Sequence, residues 1–286
     1  MSTRPDLVAR PRLAALDLLD GWESPNAAAG VIGGEGLEVL AVRGDPTRAS
    51  SWASVTKLAT ALATLVAVED GLVGLDEEAG PPGATVRHLL AHASGLAFDE
   101  QRPLAAPGHL RIYSNAGFEA LAAVVADRAG TPFDSYLAET VLQPLGMSAT
   151  RLEGSAASGL VGPLDDLLRL GTELLAPTVV RPVTLRVATT VAFPGLAGVL
   201  PGFGRHDPMD WGLGFEVRDA KSPHWTGRRN SPATFGHFGR TGAFLWVDPV
   251  ARCACAVLGG RDFGPWALTA WPALADAVLA EICPPG

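Results

Sequence analysis

Basic residues are outnumbered in this chain, and their scarcity excludes some partners. Its 286 residues include 22 basic and 30 acidic side chains, which gives a net charge of -8. A chain without a basic excess does not favour nucleic acid or anionic lipid as a partner. Since 48% of the residues are hydrophobic and 18% are charged, the composition also excludes a disordered protein.

Long apolar runs are absent as well. The longest nearly apolar stretch, residues 58–68, contains threonines and covers 11 residues, whereas a membrane-spanning helix needs about 20. Residues 1–20 alternate charges with leucines and lack the uninterrupted apolar core of a signal peptide. We therefore expect a cytoplasmic protein with no membrane partner.

Cysteine is rare, since the chain has only Cys253, Cys255 and Cys283. Their spacing matches neither a metal site nor a disulfide framework. We interpret them as buried, small apolar side chains, and we expect neither a metal nor an organic cofactor.

The order of the predicted elements indicates an α+β fold. Apolar runs at 27–32 and 37–42 predict a hairpin, and the closing part of the chain predicts strands at 211–218, 233–238, 243–247 and 253–259. Helices are predicted at 11–22, 54–70, 86–92, 116–129, 133–142, 163–175, 182–192 and 265–282. We expect an antiparallel sheet built from both chain ends and flanked by helices, with a mainly helical subdomain inserted. A single unit would cover 1–286, with the sheet in about 1–80 plus 205–286 and the insertion in about 81–204.

Lysine occurs only twice, and one of the two follows a serine by three positions. Ser54 and Lys57 open the predicted helix 54–70, which is apolar on nearly every side, so the two side chains share one helix face. A serine hydroxyl needs a neighbouring base to become a nucleophile. Burial and the positive end of the helix dipole would both lower the pKa of Lys57 toward that role. A lysine that faces solvent is the alternative.

Two further segments carry suitable chemistry. In Tyr113-Ser114-Asn115 the tyrosine can relay protons, and the asparagine can donate to a substrate carbonyl while accepting from a lysine. The alternative is a helix N-cap made by Ser114 or Asn115. In residues 236–242, glycines beside a strand edge allow a substrate to approach closely, and His237 offers a polar or cationic contact. A histidine packed on its strand is the alternative there.

In this order, the three segments resemble the serine β-lactamase and penicillin-binding-protein superfamily, especially its class C-like branch with related esterases and D-amino-acid-peptide hydrolases. Ser54-Val55-Thr56-Lys57 matches the S-x-x-K motif, Tyr113-Ser114-Asn115 matches Y-x-N, and His237-Phe238-Gly239 stands at the K-T-G or H-x-G position. Residues 89–96 resemble the LLxHxSGL segment of that branch, and residues 143–147 resemble its PLGM stretch. Residues 211–215 and 245–249 also resemble strands of the family, so the similarity spans about residues 22–259.

The resemblance implies a role for each matched residue. Ser54 would be the acylated nucleophile, Lys57 its proton acceptor and Tyr113 the general acid and base. The backbone N–H groups of Ser54 and Arg240 would form the oxyanion hole. The residues expected to bind substrate are Asn115, which would also hold the lysine, His237, Phe238, Gly239 and Trp52, although core packing is an equal alternative for Trp52.

Departures from the family pattern shape the expected activity. Histidine and phenylalanine replace the Lys-Thr of K-T-G, which removes a permanent cation and a hydroxyl that would hold a substrate carboxylate. Arg240 could restore a charge. We therefore expect a serine hydrolase that acts through an acyl-enzyme on small carboxylic esters or amides, with β-lactams as a side activity, in a monomer or weak homo-oligomer. A β-lactamase or D-alanyl-D-alanine carboxypeptidase is one alternative, and a non-catalytic penicillin-recognition scaffold is another.

Motifs of other enzyme classes are weak or missing. His88 and His92 have the spacing of a zinc helix, but Leu89 stands where the general-base glutamate of H-E-x-x-H should be. The G-x-S-x-G nucleophile elbow of the α/β-hydrolases does not occur. Residues 33–36 are rich in glycine but precede a strand instead of a helix, which argues against a phosphate-binding loop.

Overall fold

The computed structural model describes residues 12–283. In chain order the strands are β1 (Ala28–Gly33), β2 (Glu38–Arg43), β3 (Ser50–Ser51), β4 (Arg151–Leu152), β5 (Leu160–Gly162), β6 (Gly198–Leu200), β7 (Gly204–His206), β8 (Glu216–Val217), β9 (Phe235–Phe238), β10 (Phe244–Asp248) and β11 (Cys253–Leu258). The α-helices are α1 (Thr56–Glu69), α2 (Val86–Leu90), α3 (Asn115–Ala129), α4 (Phe133–Leu137), α5 (Leu164–Leu175), α6 (Pro182–Ala188) and α7 (Ala267–Ile282). Two 3₁₀ helices cover Ala14–Trp22 and Ala53–Val55, and a π-helical turn covers Ala138–Leu142.

The main sheet joins the beginning and the end of the chain. Its six strands lie in the order β2-β1-β11-β10-β9-β8, and all neighbours are antiparallel. Strands β1 and β11 are neighbours inside the sheet although more than 200 residues separate them in the chain. The predicted α+β class, with a sheet from both chain ends, is confirmed.

The sheet is buried on both faces, because an apolar core packs against each of them. Since successive side chains of a strand point to opposite sides, neighbouring residues of β11 enter different cores. Ala254 and Ala256 of β11 belong to one apolar core with α1 and α5. Cys253 and Cys255 belong to a second core with α7 and the first 3₁₀ helix. These two cysteines are buried as expected, but Cys283 is exposed. That part of the expectation is wrong, because Cys283 lies just beyond the end of α7.

Helix α5 packs across the boundary between the two predicted parts of the chain, the sheet part and the helical insertion. It lies in the middle of the proposed insertion 81–204, yet it packs against β1, β10 and β11 of the sheet. The approach is close because a Cβ added at Gly30 of β1 would lie 2.8 Å from Leu168 of α5. The division between a sheet part and a helical insertion stays a prediction, with α5 bridging the two.

Several helices are shorter than predicted. The first helix, predicted at 11–22, is a 3₁₀ helix that begins at Ala14, and Pro11 lies outside the described residues. Helix α2 ends at Leu90 because His92 adopts a left-handed backbone with φ +53°. The helix predicted at 133–142 divides into α4 and the π-helical turn, and α6 stops at Ala188.

The strand predicted at 211–218 shrinks to the two residues of β8 for a steric reason. Gly214 has φ +92°, and a Cβ there would lie 2.2 Å from Ala61 of α1. The chain therefore crosses the buried helix as a close-packed loop before it reaches the sheet. Strands β3 to β7 were not predicted, since two or three residues are too few to show an alternating pattern.

A buried polar network fixes the edge of the sheet at β8. The Glu216 carboxylate pairs with Lys221 Nζ at 2.6 Å and accepts from Trp225 Nε1 at 2.8 Å and His224 Nε2 at 3.0 Å. Burial alone would raise the pKa of Glu216, but His224 and Lys221 hold it below the ordinary value. The network therefore attaches the loop after β8 to the sheet, and Trp225 in turn packs on Phe238 with ring centroids 5.5 Å apart.

Removing the Glu216 charge tests this network. Glu216→Gln leaves the ammonium of Lys221 buried without its partner, so the free energy of unfolding should fall by about 3 kcal/mol or more. Urea denaturation measures the change. Glu23→Gln is the matched control, because the Glu23 pair with Arg261 has a glutamate side chain that is 83% exposed and should contribute little. Equal, small effects of both substitutions would contradict the role of the network.

Candidate active site

Ser54 lies in a strained turn at the start of the central helix. It belongs to the 3₁₀ turn Ala53–Val55 that leads into α1, so the helix predicted at 54–70 becomes a true α-helix two residues later, at Thr56. The preceding Ala53 has φ +45°, a left-handed conformation that is unusual for a residue with a Cβ and is typical of functional turns. Trp52 lies behind this turn, fully buried, with its indole N–H donating to the Gly162 carbonyl at 3.1 Å. It packs in the core and does not line the cavity described below.

The amine of Lys57 is buried among acceptors and faces Ser54. It donates to Asn115 Oδ1 at 2.6 Å and to the Ala157 carbonyl at 2.9 Å, and it lies 3.5 Å from Ser54 Oγ. The side chain has no exposed surface. Two hydrogens of a neutral amine are thus used by two acceptors, which directs its lone pair toward the Ser54 hydroxyl.

Burial has a strong effect on this amine. It lowers the pKa of Lys57 to about 7, although the charges of Glu119 and Asp99 act in the opposite direction. The alternative given by the sequence, a Lys57 side chain that faces solvent, is therefore wrong. At neutral pH a substantial fraction of Lys57 is uncharged and can accept a proton.

The segment around Tyr113 combines a helix cap with a contact to the lysine. Ser114 caps α3, since its hydroxyl accepts from the Gly117 N–H at 3.0 Å and donates to the Ala97 carbonyl at 2.6 Å. Asn115, the first residue of α3, holds Lys57. The segment therefore does both things that the sequence offered as alternatives. Ser114 is the N-cap of α3, and Asn115 binds Lys57.

Tyr113 meets His237 across the site. Its hydroxyl lies 3.5 Å from His237 Nε2, and its ring packs at a tilt against His92, with ring centroids 4.6 Å apart. Burial raises the pKa of Tyr113 above the ordinary value, although a hydrogen bond with Ser54 acts against it. Tyr113 is consequently a neutral phenol that can donate a proton but is a poor source of tyrosinate.

His237 is a neutral acceptor. Its Nδ1 lies 2.7 Å from the Phe238 carbonyl, which can only accept, so Nδ1 carries the hydrogen and Nε2 presents a lone pair to Tyr113. Burial, helped by the charge of Lys57, lowers the pKa of His237 to about 3. The cation that sequence analysis allowed at this position is absent at neutral pH.

The end of β9 lies directly against the Ser54 turn. A Cβ added at Gly239 would be 2.7 Å from the Trp52 carbonyl oxygen and 3.1 Å from the Ser54 nitrogen. Glycine is therefore required for this approach, which brings the backbone of Arg240 beside Ser54. The Ser54 N–H lies in the first turn of a helix, where N–H groups have no intrahelical acceptor, and between residues 12 and 283 the Arg240 N–H donates to no other protein group.

A cavity of about 150 Å³ opens above Ser54. Besides Ser54, its polar contributors are Tyr113, His237 and Arg240, and Arg240 is exposed at the mouth. The apolar wall consists of Phe98, Leu200, Pro201, Trp211, Phe238 and Phe263. The cavity thus offers a mainly apolar, aromatic surface with the exposed guanidinium of Arg240 at its rim.

Some residues of the site were missed by sequence analysis. Phe98 and Phe263 line the cavity, Asp99 accepts from Asn115 Nδ2 at 2.9 Å, and the Ala157 carbonyl binds Lys57. These residues lie in loops without a recognisable motif, and their contacts depend on how distant loops converge.

The histidine pair considered for zinc has a structural role. Thr85 N–H donates to His88 Nδ1 at 3.2 Å, and Ser114 N–H donates to His92 Nδ1 at 3.1 Å. His92 thereby supports the Tyr113 segment from behind. Across residues 12–283, no group of three or more His, Cys, Asp or Glu side chains has the arrangement of a metal site.

Comparisons with known proteins identify the family of this chain. The family model described as Beta-lactamase matches residues 18–279. The crystal structure of a β-lactamase from Mycobacterium bovis is 55% identical, with a TM-score of 0.92, and the match covers 94% of this chain and 99% of that one. EstCE1, described as a hydrolase with promiscuous acyltransferase activity, has the same fold at 19% identity and a TM-score of 0.74, over 92% of this chain and 98% of that one.

One curated relative matches this chain at lower identity. The "Putative D-alanyl-D-alanine carboxypeptidase" of Salmonella enteritidis PT4 is 27% identical over 203 residues, which make up 56% of this chain and 47% of that protein. The chain thus spans about half the length of the curated relatives it matches. The family predicted from the three motifs is confirmed: this chain belongs to the β-lactamase family, within the superfamily of serine β-lactamases and penicillin-binding proteins.

Proposed function

We propose that the chain is a serine hydrolase that acts through an acyl-enzyme on small, uncharged carboxylic esters. The observation that supports this most is the buried amine of Lys57, which has the acceptors Asn115 Oδ1 and the Ala157 carbonyl and lies 3.5 Å from Ser54 Oγ. Such a distance is common before substrate binds and shortens in the reacting complex. When the amine is neutral and its two hydrogens go to these acceptors, its lone pair is left for the Ser54 hydroxyl. Ser54 would be the nucleophile and Lys57 its base.

In acylation, Lys57 takes the Ser54 proton as Oγ attacks the ester carbonyl. The negative charge that develops on the carbonyl oxygen is met by the N–H groups of Ser54 and Arg240. The bond to the alcohol then breaks, and Tyr113 donates its proton to the departing oxygen while Lys57 returns a proton to Tyr113. The Lys57 Nζ lies 4.8 Å from the centre of the Tyr113 ring, so the two side chains are neighbours in the buried site. Water reverses the same proton path to release the acid.

The character of the cavity supports esters without a carboxylate. Its wall is mainly apolar, and His237 supplies an acceptor in place of a cation. A volume of about 150 Å³ is comparable to an engineered apolar cavity that holds benzene. We therefore propose acyl groups no larger than a phenyl ring, with amides of the same size as slower substrates.

Hydrolysis of β-lactams is the second candidate. The 55% identical relative is called a β-lactamase, and Arg240 at the cavity mouth could meet the carboxylate of such a substrate. The exposed position of Arg240 makes this contact weaker than one from a buried cation, so we rank β-lactams and D-alanyl peptides below esters. The intact Ser54, Lys57 and Tyr113 argue against a non-catalytic scaffold.

Where the protein acts and how it assembles stay predictions from the sequence. Each helix found between residues 12 and 283 falls short of the length or the apolar character needed to cross a membrane. A small-molecule substrate suits the family and the small cavity above Ser54. The cytoplasmic address and the monomer or weak homo-oligomer are parts of the proposal.

The scarcity of lysine allows a direct test of the base. Protein labelled with ¹³C at lysine Cε should give resonances from Lys57 and Lys221 alone, and the Lys57 signal should titrate with a midpoint near pH 7 because burial lowers its pKa to about 7. The NMR spectrum of Lys57→Arg assigns the signal. A titration in which neither lysine changes below pH 9 would contradict the proposed base.

Substitution of the nucleophile tests the reaction. Ser54→Ala should reduce turnover of p-nitrophenyl butyrate by 10³-fold or more, because among residues 12–283 Ser54 is the only serine or threonine that lines the cavity, and Tyr113 is held as a neutral phenol. In the wild type, kcat/KM should be higher for the uncharged butyrate ester than for a monoester of succinate or for a chromogenic cephalosporin. Unchanged turnover in Ser54→Ala would reject the nucleophile, and a preference for the cephalosporin would favour the second candidate.

The close approach of β9 provides a test of the oxyanion hole. Gly239→Ala places a methyl group against the Trp52 carbonyl and the Ser54 nitrogen, which should push the Arg240 N–H away and slow ester hydrolysis on the order of 10²-fold. Gly21→Ala is the control, because a Cβ there meets no atom within 4 Å. The melting temperature verifies that both variants fold. Wild-type hydrolysis by Gly239→Ala would remove Arg240 from the proposed mechanism.

A further inference from the structure

Asp99 contacts the site from outside the cavity. It is exposed in the loop that follows α2, and its Oδ1 accepts from Asn115 Nδ2 at 2.9 Å. The loop is attached to α3 at the same place, since the Phe98 carbonyl accepts from the N–H of Asn115 at 2.7 Å and of Ala116 at 3.1 Å. Asp99 is therefore held at the beginning of the helix that carries Asn115.

The neighbours of Asn115 determine which way its amide faces. A carboxylate can only accept hydrogen bonds, so the NH₂ group must face Asp99. The carbonyl oxygen is then directed to Lys57 Nζ at 2.6 Å. We propose that Asp99 is a positioning residue that fixes this orientation and thereby keeps the lone pair of Lys57 available to Ser54. This inference rests on the proposed function.

The consequence of losing Asp99 follows from donor and acceptor counts. Without the carboxylate the amide of Asn115 can turn and present its NH₂ group to Lys57. A neutral Lys57 would then use its lone pair to accept from Asn115, and the base would no longer face Ser54. A protonated Lys57 has only N–H groups to present, so two donors, the ammonium and the Asn115 NH₂ group, would face each other without an acceptor. Both arrangements slow proton removal from the serine.

Asp99 also acts on Lys57 through its charge. Burial dominates the pKa of Lys57, and the carboxylates of Glu119 and Asp99 are the groups that raise it. The other titratable groups near the amine are Tyr113, whose ring lies 4.8 Å away, together with His92 and His237, which feel its charge. These three are neutral at working pH, because burial keeps the histidines unprotonated and the phenol protonated. Removing the Asp99 charge should therefore move the protonation of Lys57 to lower pH.

The orientation and charge effects can be separated with two substitutions. Asp99→Asn keeps a carbonyl that can accept from Asn115 but removes the charge, whereas Asp99→Ala removes both. The readout is the second-order rate of Ser54 labelling by a fluorophosphonate as a function of pH, which needs no knowledge of the natural substrate. Glu100→Gln is the matched control, because Glu100 is the next residue in the loop and pairs with Arg102 at the surface. Melting temperatures verify the fold of each variant.

We expect Asp99→Asn to keep the high-pH plateau of the wild type while its acid limb moves to lower pH. Asp99→Ala should show the same limb shift and a plateau about tenfold lower, the scale of a lost hydrogen bond to a charged group. In an Asn115→Ala background, Asp99→Ala should lower the plateau no further. Glu100→Gln should match the wild type.

A wild-type plateau and acid limb in Asp99→Ala would overturn the inference. So would a plateau loss that persists in the Asn115→Ala background, because the effect would then not pass through the amide. Neither result would affect the proposed function. That proposal fails separately, if Ser54→Ala labels at the wild-type rate.

Discussion

A buried amine with two fixed acceptors is the interaction on which the site depends. Water would hold a lysine in its charged form, and the protein removes that water by placing Lys57 inside an apolar helix and under the rings of Tyr113 and Phe118. Asn115 and the Ala157 carbonyl then use two of its hydrogens. In the neutral amine the remaining lone pair is then available to Ser54, whose Oγ lies 3.5 Å away.

The fold brings the parts of this site together from distant points of the chain. The sheet brings β9, near the end of the chain, against the turn that precedes α1, near its beginning, and a glycine allows the two backbones to touch. The loop carrying Tyr113 is fixed from behind by His92, and α3 delivers Asn115 from its first turn. The left-handed backbone of Ala53 is unfavourable by itself, so the surrounding structure holds this turn in place.

Local chemistry made part of the site predictable. The spacing of Ser54 and Lys57 implied contact on one helix face, and the apolar surroundings of that helix implied a depressed pKa. The convergence of Tyr113 and His237 on the same serine needed the family resemblance, since residue spacing carries no information about contacts across 124 positions of chain. Asp99, Phe98 and Phe263 could not be predicted at all, because irregular loops place them.

The sequence was also a poor guide to charge and to short elements. His237 could have been a cation on sequence grounds, but the Phe238 carbonyl and burial make it an acceptor. The strand predicted at 211–218 was nearly lost, because Gly214 packs on α1 in a conformation that alternation cannot reveal.

The central claim is that a neutral Lys57 activates Ser54, and the comparison of wild type with Lys57→Met tests it most directly. Methionine fills the same buried space without a lone pair. Peptide mapping by mass spectrometry after exposure to a fluorophosphonate at pH 8 should find one adduct, on Ser54, formed at least 10²-fold more slowly in a folded Lys57→Met protein. Equal rates in the two proteins, or an adduct on another residue, would contradict the account.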